Sequence, residues 1–438
     1  MRLVSAFLLC CIVASGFAQS LPRRPFLGAG IAAGTGGVKI TAVTPNTTAS
    51  AAGLRLDDVV TSIAGQTTAD PAALNLVLAK WKTGDKVKIE FVRAEKPQVV
   101  EVTVQPRPVD SGDNYTTIYD EVKSHGNRIR IIVTKPKATG KRPVLFLIQG
   151  IGYVSNEQPL TGGSGYPPIL KAFSDKGYVT VRVEKPGLGD SEGGPADKVD
   201  FDTELDAFRQ ALLKTKTYDF VDPNNILIFG HSMGGCEGPM LAAEIPVKGI
   251  AVYGTVVRTW HEYLVEMMRS QSALGGANAS DLDGLERNTI AALHLVFNER
   301  QSPADAKKNN PKWAAAIDGI FPDGEHFSGV GINFWQGCFA QNYAKAWETL
   351  DSNVLSLYGE CDFVAEQVDH PMIAEIVNSK HPGKAKYVMV PNSDHAFRNV
   401  ASKRESLEFW TKGGKAFNPA ICDILTKWAD EIIPPSAG

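Results

Sequence analysis

ILIFGHSMGGCEGPMLAA, residues 226–243, decides how the larger part of this chain is read. Four apolar residues at 226–229 form a strand-like run, Gly230-His231-Ser232-Met233-Gly234 follows, and the small and apolar residues at 235–243 suit a helix. A serine hydroxyl is a weak nucleophile, so chemistry that uses one needs its oxygen exposed and a base beside it. Glycines on both flanks of a strand-to-helix turn allow the tight backbone that pushes Ser232 outward. A bare Gly-x-Ser-x-Gly is common by chance. The strand before it and the helix after it make Ser232 the candidate nucleophile.

Working outward, apolar runs at 144–148, 179–183, 226–229, 250–253, 354–358 and 387–390 alternate with helical stretches such as 201–215. This is the pattern of a doubly wound α/β sheet. About a hundred residues separate the runs at 250 and 354, where a βαβ crossover needs about thirty. An insertion is therefore expected. It contains Trp260, Trp313, Trp335 and a helical segment at 261–270, and reads as a mainly helical cap at about 258–348 over a pocket mouth.

The base must take and return a proton near neutral pH, which suits histidine. Where a serine sits on such a turn, the chain order is nucleophile, acid, histidine. Only His370, His381 and His395 lie late enough. His395, in Pro391-Asn392-Ser393-Asp394-His395-Ala396-Phe397, follows the run at 387–390, where the last loop returns over the nucleophile. His370 falls in a predicted helix and His381 precedes a strand at the wrong end, so both read as surface histidines. Gly359-Glu360-Cys361-Asp362 follows the run at 354–358 and delivers Asp362 as the acid, with Glu360 and Asp394 as rivals. Charge developing on a substrate oxygen needs preorganised donors. The Met233 amide supplies one, and the Ile151 amide, in Gln149-Gly150-Ile151-Gly152, the other.

With these residues in order, and with Pro186-Gly187-Leu188-Gly189-Asp190-Ser191 similar to a Gly-x-Gly-x-Ser loop, residues 110–438 resemble the α/β-hydrolase superfamily. Gln149 departs from the family's usual His. The resemblance implies acyl transfer to water with no cofactor, because dehalogenase and epoxide-hydrolase members place Asp where Ser232 stands. No metal site is legible: His261-Glu262 would need a second histidine at 265 for a zinc-protease motif, and Val265 stands there.

Upstream, short β-branched runs at 38–43, 59–63, 87–93 and 99–104 form a small β-rich module. PFLGAGIA (25–32) and ITAVTPNTTASAAGLRLDDVVTSIAGQ (40–66) resemble a PDZ domain of the kind carried by bacterial periplasmic serine proteases, with Asp57 where Gly is usual. The resemblance implies that Leu27, Gly28, Ala29 and Gly30 offer backbone N–H groups to a peptide carboxylate while the peptide adds to the sheet edge. Leu74 and Leu78, in a helix at 71–81, would line that groove or belong to the core. The domains are then 25–107, a linker at 108–113, and 114–438.

The chain has 438 residues, is 43% hydrophobic and carries a net charge of -3, enough for two domains and without a basic face for nucleic acid. In MRLVSAFLLCCIVASGFAQS, Arg2 precedes an apolar run that ends in small residues, which predicts a signal peptide at 1–18. The run is short for a membrane span, so a secreted or periplasmic protein without a stable anchor is expected. Cys10 and Cys11 leave with the leader. Disulfides among Cys236, Cys338, Cys361 and Cys422 stay open. The first functional reading is hydrolysis of a small-molecule carboxylic ester. A peptidase with the PDZ-like module tethering peptides is the alternative. A non-catalytic binding protein is the third reading, disfavoured by the retained order of Ser232, Asp362 and His395.

Overall fold

The computed structural model describes residues 20–434, so the leader expected at 1–18 lies outside the described residues. The N-terminal unit opens with an antiparallel hairpin of β1 (Ala29–Gly34) and β2 (Gly37–Val43). A helical turn α1 (Thr48–Ala51), then β3 (Val59–Ile63), β4 (Gln66–Thr67), α2 (Pro71–Leu78), β5 (Lys86–Arg93) and β6 (Lys96–Thr103) complete it. The sheet order is β1-β2-β3-β5-β6, with β4 beside β3. Alternation sets its faces: Val87, Ile89 and Phe91 are buried while Lys86 and Lys88 are exposed. The Asp70 carboxylate accepts the Ala73 amide at 2.8 Å and Pro71 opens the helix, which starts α2 where it does. Leu74 is fully buried with Val38, Ile40 and Ile63, and Leu78 packs against that cluster. Both leucines therefore belong to the module's core. Residues 27–30 read as a loop in the sequence, but Ala29 and Gly30 lie in β1; alanine and glycine carry little strand signal, and pairing with β2 supplies it.

The larger unit begins with a hairpin, β7 (Tyr115–Ser124) and β8 (Asn127–Pro136), absent from the runs read in the sequence. Strand β7 is half-exposed along most of its length, so its residues are mixed. Next come β9 (Arg142–Ile148), α3 (Pro167–Asp175), β10 (Val179–Val183), α4 (Phe201–Thr215), β11 (Val221–His231), α5 (Gly234–Glu244) and β12 (Gly249–Tyr253). The insertion follows as α6 (Trp260–Leu274), α7 (Ala279–Leu293), α8 (Pro303–Asn309), α9 (Ala314–Ile320), β13 (His326–Phe327), β14 (Val330–Gly331), α10 (Ile332–Phe339) and α11 (Tyr343–Glu348). The chain closes with β15 (Asn353–Gly359), α12 (Asp369–Lys380), β16 (Ala385–Val390), α13 (Lys403–Lys412) and α14 (Ala420–Ile432).

Eight strands form one sheet in the order β16-β15-β12-β11-β9-β10-β8-β7, parallel from β16 to β10 and antiparallel from β10 to β7. Helices cover both faces of the parallel part, and two separate clusters form, one against each face. Residues exposed to neither side can be apolar without interruption, which is why β9 and β10 read as continuous hydrophobic runs. The insertion shares the first of these cores. Trp260 and Trp335 meet edge to face at 5.1 Å, and Trp260 Nε1 donates to the Tyr343 hydroxyl at 3.0 Å. Both tryptophans are buried and form part of the insertion's own packing. The segment read as a linker is fastened: the Asp110 carboxylate accepts the Tyr115 hydroxyl at 3.2 Å and the Leu160 amide at 3.3 Å.

Candidate active site

Ser232 stands between β11 and α5 with φ +55°, a left-handed backbone unusual for a residue with a side chain. Such strain costs on the order of 1–3 kcal/mol and persists only where the surroundings impose it. Here the Ser232 amide donates to Tyr253 O at 2.9 Å, and Gly235 N donates to Ser232 O at 2.9 Å, closing the first turn of α5. A side chain at Gly234 would strike the Ile148 carbonyl. The motif's glycine is thus required by the neighbouring strand.

His395 and Asp362 are brought together from the loops after β16 and β15. His395 Nδ1 lies 2.8 Å from Asp362 Oδ2, and both residues are buried. Asp362 Oδ1 accepts the Val364 and Ala365 amides, each at 2.8 Å. Burial opposes ionisation of this carboxyl, but the charge and hydrogen bond of His395 together with the two amides outweigh it and hold it below the ordinary range. An ionised Asp362 takes the Nδ1–H, which leaves Nε2 as the imidazole's basic atom.

Ser232 on one side and the His395–Asp362 pair on the other adjoin consecutive residues at the end of β12. Tyr253 O receives the Ser232 amide, and at the next residue, Gly254 (φ +60°), an added Cβ would lie 2.8 Å from His395 Nδ1 and 2.9 Å from Asp362 Oδ2. Only glycine fits there. The rivals are placed otherwise. Glu360 is exposed and accepts the Asn392 amide at 2.9 Å. Asp394 is buried and braces its own loop, accepting the Ala396 and Arg398 amides, Arg398 Nε and the Ser406 hydroxyl. His381 is half-buried at the C-terminal end of α12. His370, expected on the surface, is fully buried on α12, where its Nε2 accepts the Thr255 amide at 3.1 Å. The helical position was legible; the face it presents to β12 was not.

The Met233 and Ile151 amides have no hydrogen-bond partner among the described residues, so both are free to donate. A Cβ at Gly150 would lie 3.1 Å from Ser232 Cβ, which places the Ile151 loop directly against Ser232. Two residues that the motif reading passed over hold this loop. Gly150 N donates to the Tyr166 hydroxyl at 2.9 Å, Tyr166 Oη lies 2.8 Å from His231 Nδ1, and His231 Nε2 lies 2.9 Å from His395 O. A carbonyl only accepts, so His231 carries its proton on Nε2 and Tyr166 donates to Nδ1. Burial, helped by His395, pushes the His231 pKa down to about 3, so the ring stays neutral. A histidine at the variable position of Gly-x-Ser-x-Gly was the one signal in the sequence.

Beside His395, Trp410 lies 6.2 Å from its ring and edge to face with Phe363 at 5.2 Å, and it is 43% exposed. Ile151 and Val154 are exposed as well. The four cysteines among the described residues are free thiols: Cys236, Cys338 and Cys361 are buried and Cys422 is half-buried, and burial pushes the Cys236 thiol up to about 12. In the N-terminal unit Leu27 is a buried core side chain, Gly28 has φ +75° and its carbonyl accepts the Thr44 amide at 2.8 Å, and Ala29 and Gly30 lie on the sheet's edge strand.

Residues 25–104 match the family model of the PDZ domain. The chain pairs a PDZ domain with an α/β-hydrolase fold. The sheet order, the strained serine between β11 and α5, and the acid and histidine after β15 and β16 define that fold. Esterase EstD of Thermotoga maritima is 17% identical over 297 residues, 68% of this chain and 64% of the esterase. S-formylglutathione hydrolase of Bos taurus is 32% identical over 133 residues, 26% of this chain and 45% of the hydrolase. The chain thus spans just under two thirds of the first relative and under half of the second. The structure of Est1E from Butyrivibrio proteoclasticus with ferulic acid superposes with a TM-score of 0.44 at 16% identity, covering 70% of this chain and 98% of Est1E.

Proposed function

We propose that this protein is an extracytoplasmic serine hydrolase that cleaves a carboxylic ester through an acyl-enzyme on Ser232. The observation that carries the reading is the His395–Asp362 pair beside Gly254 with Ser232 bonded to the adjoining Tyr253, and the Met233 and Ile151 amides unpartnered. Ser232 Oγ attacks the carbonyl carbon as His395 Nε2 takes its proton, and the two amides receive the oxyanion. The alcohol leaves with that proton. A water activated by His395 then releases the acid, while ionised Asp362 holds the imidazole in place. No step calls for a cofactor. The esterase relative's name supports an ester substrate, and exposed Trp410 beside His395 offers an apolar surface for it.

A peptidase is the second reading, favoured by one observation: β1 is an edge strand packed beside α2, open to an added peptide strand that would raise the local concentration of a peptide substrate. A single panel separates the readings. Aryl esters of graded acyl length and aminoacyl amides are offered to wild type and Ser232→Ala, using protein from the extracytoplasmic fraction with its N-terminus expected at Gln19. Ester turnover that falls by about 10³-fold or more in Ser232→Ala is expected. Fast amide cleavage with little esterase activity would reverse the order, and no Ser232-dependent hydrolysis would leave a PDZ-type binding protein.

A further inference from the structure

We infer that Lys185 is a positioning residue for the oxyanion-binding peptide, an inference that rests on the serine-hydrolase reading. Lys185 lies in the loop after β10, with only 3% of its side chain exposed. Its Nζ donates to Gly150 O at 2.9 Å and pairs with Glu204 Oε1 of α4 at 2.5 Å. The carbonyl that Lys185 grips and the Ile151 N–H belong to the same peptide group. A full positive charge on the oxygen draws density from the nitrogen, and chained hydrogen bonds of this kind strengthen one another by about 10–30%. Lys185 therefore makes the Ile151 N–H a better donor to a developing oxyanion, and fixes where it points.

The need for such a brace follows from Gly150. A Cβ at 150 would crowd Ser232 Cβ at 3.1 Å, and glycine leaves the backbone on both sides loosely specified. The two flanking peptide groups are pinned separately, the Gly150 N–H on the Tyr166 hydroxyl and the Gly150 carbonyl on Lys185. A buried ammonium is an expensive way to fill space, since an apolar side chain would pack there at less cost. Beside the pair, Glu237 on α5 is fully buried with neither carboxyl oxygen hydrogen-bonded. Burial first, and then the neighbouring Glu204, push its carboxyl well up, and burial raises Glu204 as well, while the Lys185 ammonium opposes both shifts.

A fluorophosphonate probe tests this without knowledge of the substrate. Ser232 Oγ forms a bond to phosphorus, fluoride leaves, His395 takes the serine proton, and the phosphoryl oxygen occupies the oxyanion position. Loss of one oxyanion donor outright costs about 10²–10³-fold, so Lys185→Met should label about 10- to 100-fold more slowly, with ester kcat falling alike and KM within about two-fold. Lys185→Arg should recover most of the rate. If Lys185→Met does not fold, Lys185→Met/Glu204→Gln removes both buried charges and is read the same way. A folded variant that labels within about two-fold of wild type overturns the inference while the hydrolase reading stands. Wild type that does not label, or Ser232→Ala that labels equally, overturns both.

Discussion

His231 occupies the variable position of the serine turn, yet both of its ring nitrogens are engaged, one by Tyr166 and one by the His395 carbonyl. It ties the oxyanion loop to the histidine loop while remaining neutral, and its neutrality has a measurable cost. The folded-state pKa is about 3, whereas an unfolded histidine titrates near 6.5. Between these values the unfolded chain binds the extra proton. The stability His231 contributes is therefore whole above pH 6.5 and is lost as pH falls through the window toward 3, by up to about 1.4 kcal/mol for each pH unit. Glutamine can accept from Tyr166 and donate to the His395 carbonyl without titrating. The fall in melting temperature from pH 7 to pH 4 should accordingly be smaller in His231→Gln than in wild type. Equal falls, measured by calorimetry, would remove His231 from this role.

At the scale of elements, the candidate site depends on β12, whose end adjoins Ser232, Asp362 and His395, and on what steadies the chain as it leaves that strand for the inserted helices. Asp369, in the first turn of α12, does this: it is fully buried and accepts the Val257 amide at 3.0 Å, the Arg258 amide at 3.1 Å and the Arg258 guanidinium at 3.0 and 3.2 Å. Removing one partner of a buried pair leaves the other uncompensated, at about 3–5 kcal/mol. Chemical denaturation of Arg258→Ala should show a loss near the lower figure, since Arg258 also keeps some solvent contact. Arg258→Ala/Asp369→Asn should recover part of it. A loss below about 1 kcal/mol would mean that the two amides alone hold Asp369. Elements of this kind were unevenly legible. The strands before Ser232 and Asp362 are buried through their apolar runs and announce themselves that way, while β16, before His395, is a half-exposed edge strand that shows only as the short run at 387–390. Strands β1 and β7 do not announce themselves, because Ala-Gly pairing and half-exposed residues leave little hydrophobic signal, and in β8 the buried run at 129–134 is interrupted by Arg130, whose charge is met by Asp190.

The whole molecule is joined by the short segment ahead of β1. Arg23 pairs with Asp190 at 2.7 Å and with Glu157, Arg24 N donates to Asp190 Oδ1 at 2.8 Å, and Arg130 reaches the same Asp190 at 3.1 Å. The PDZ domain is thus strapped to the loop that carries Pro186 to Ser191. In Arg23→Ala the carboxylates of Glu157 and Asp190 lose their shared cation, so faster limited proteolysis between the domains and a larger radius of gyration in solution scattering are expected; unchanged values would show that the domains are held elsewhere. By itself the sequence determined the two domains, the parallel core and the candidates Ser232, Asp362 and His395, because strand and turn signals are local and the triad order follows from them. Only the tertiary structure decided which atoms meet. Arg23 and Asp190 are 167 residues apart, His231 and the His395 carbonyl 164, and Lys185 and Gly150 35. Contacts across such distances are set by how helices and loops pack over the sheet, and no local propensity records them.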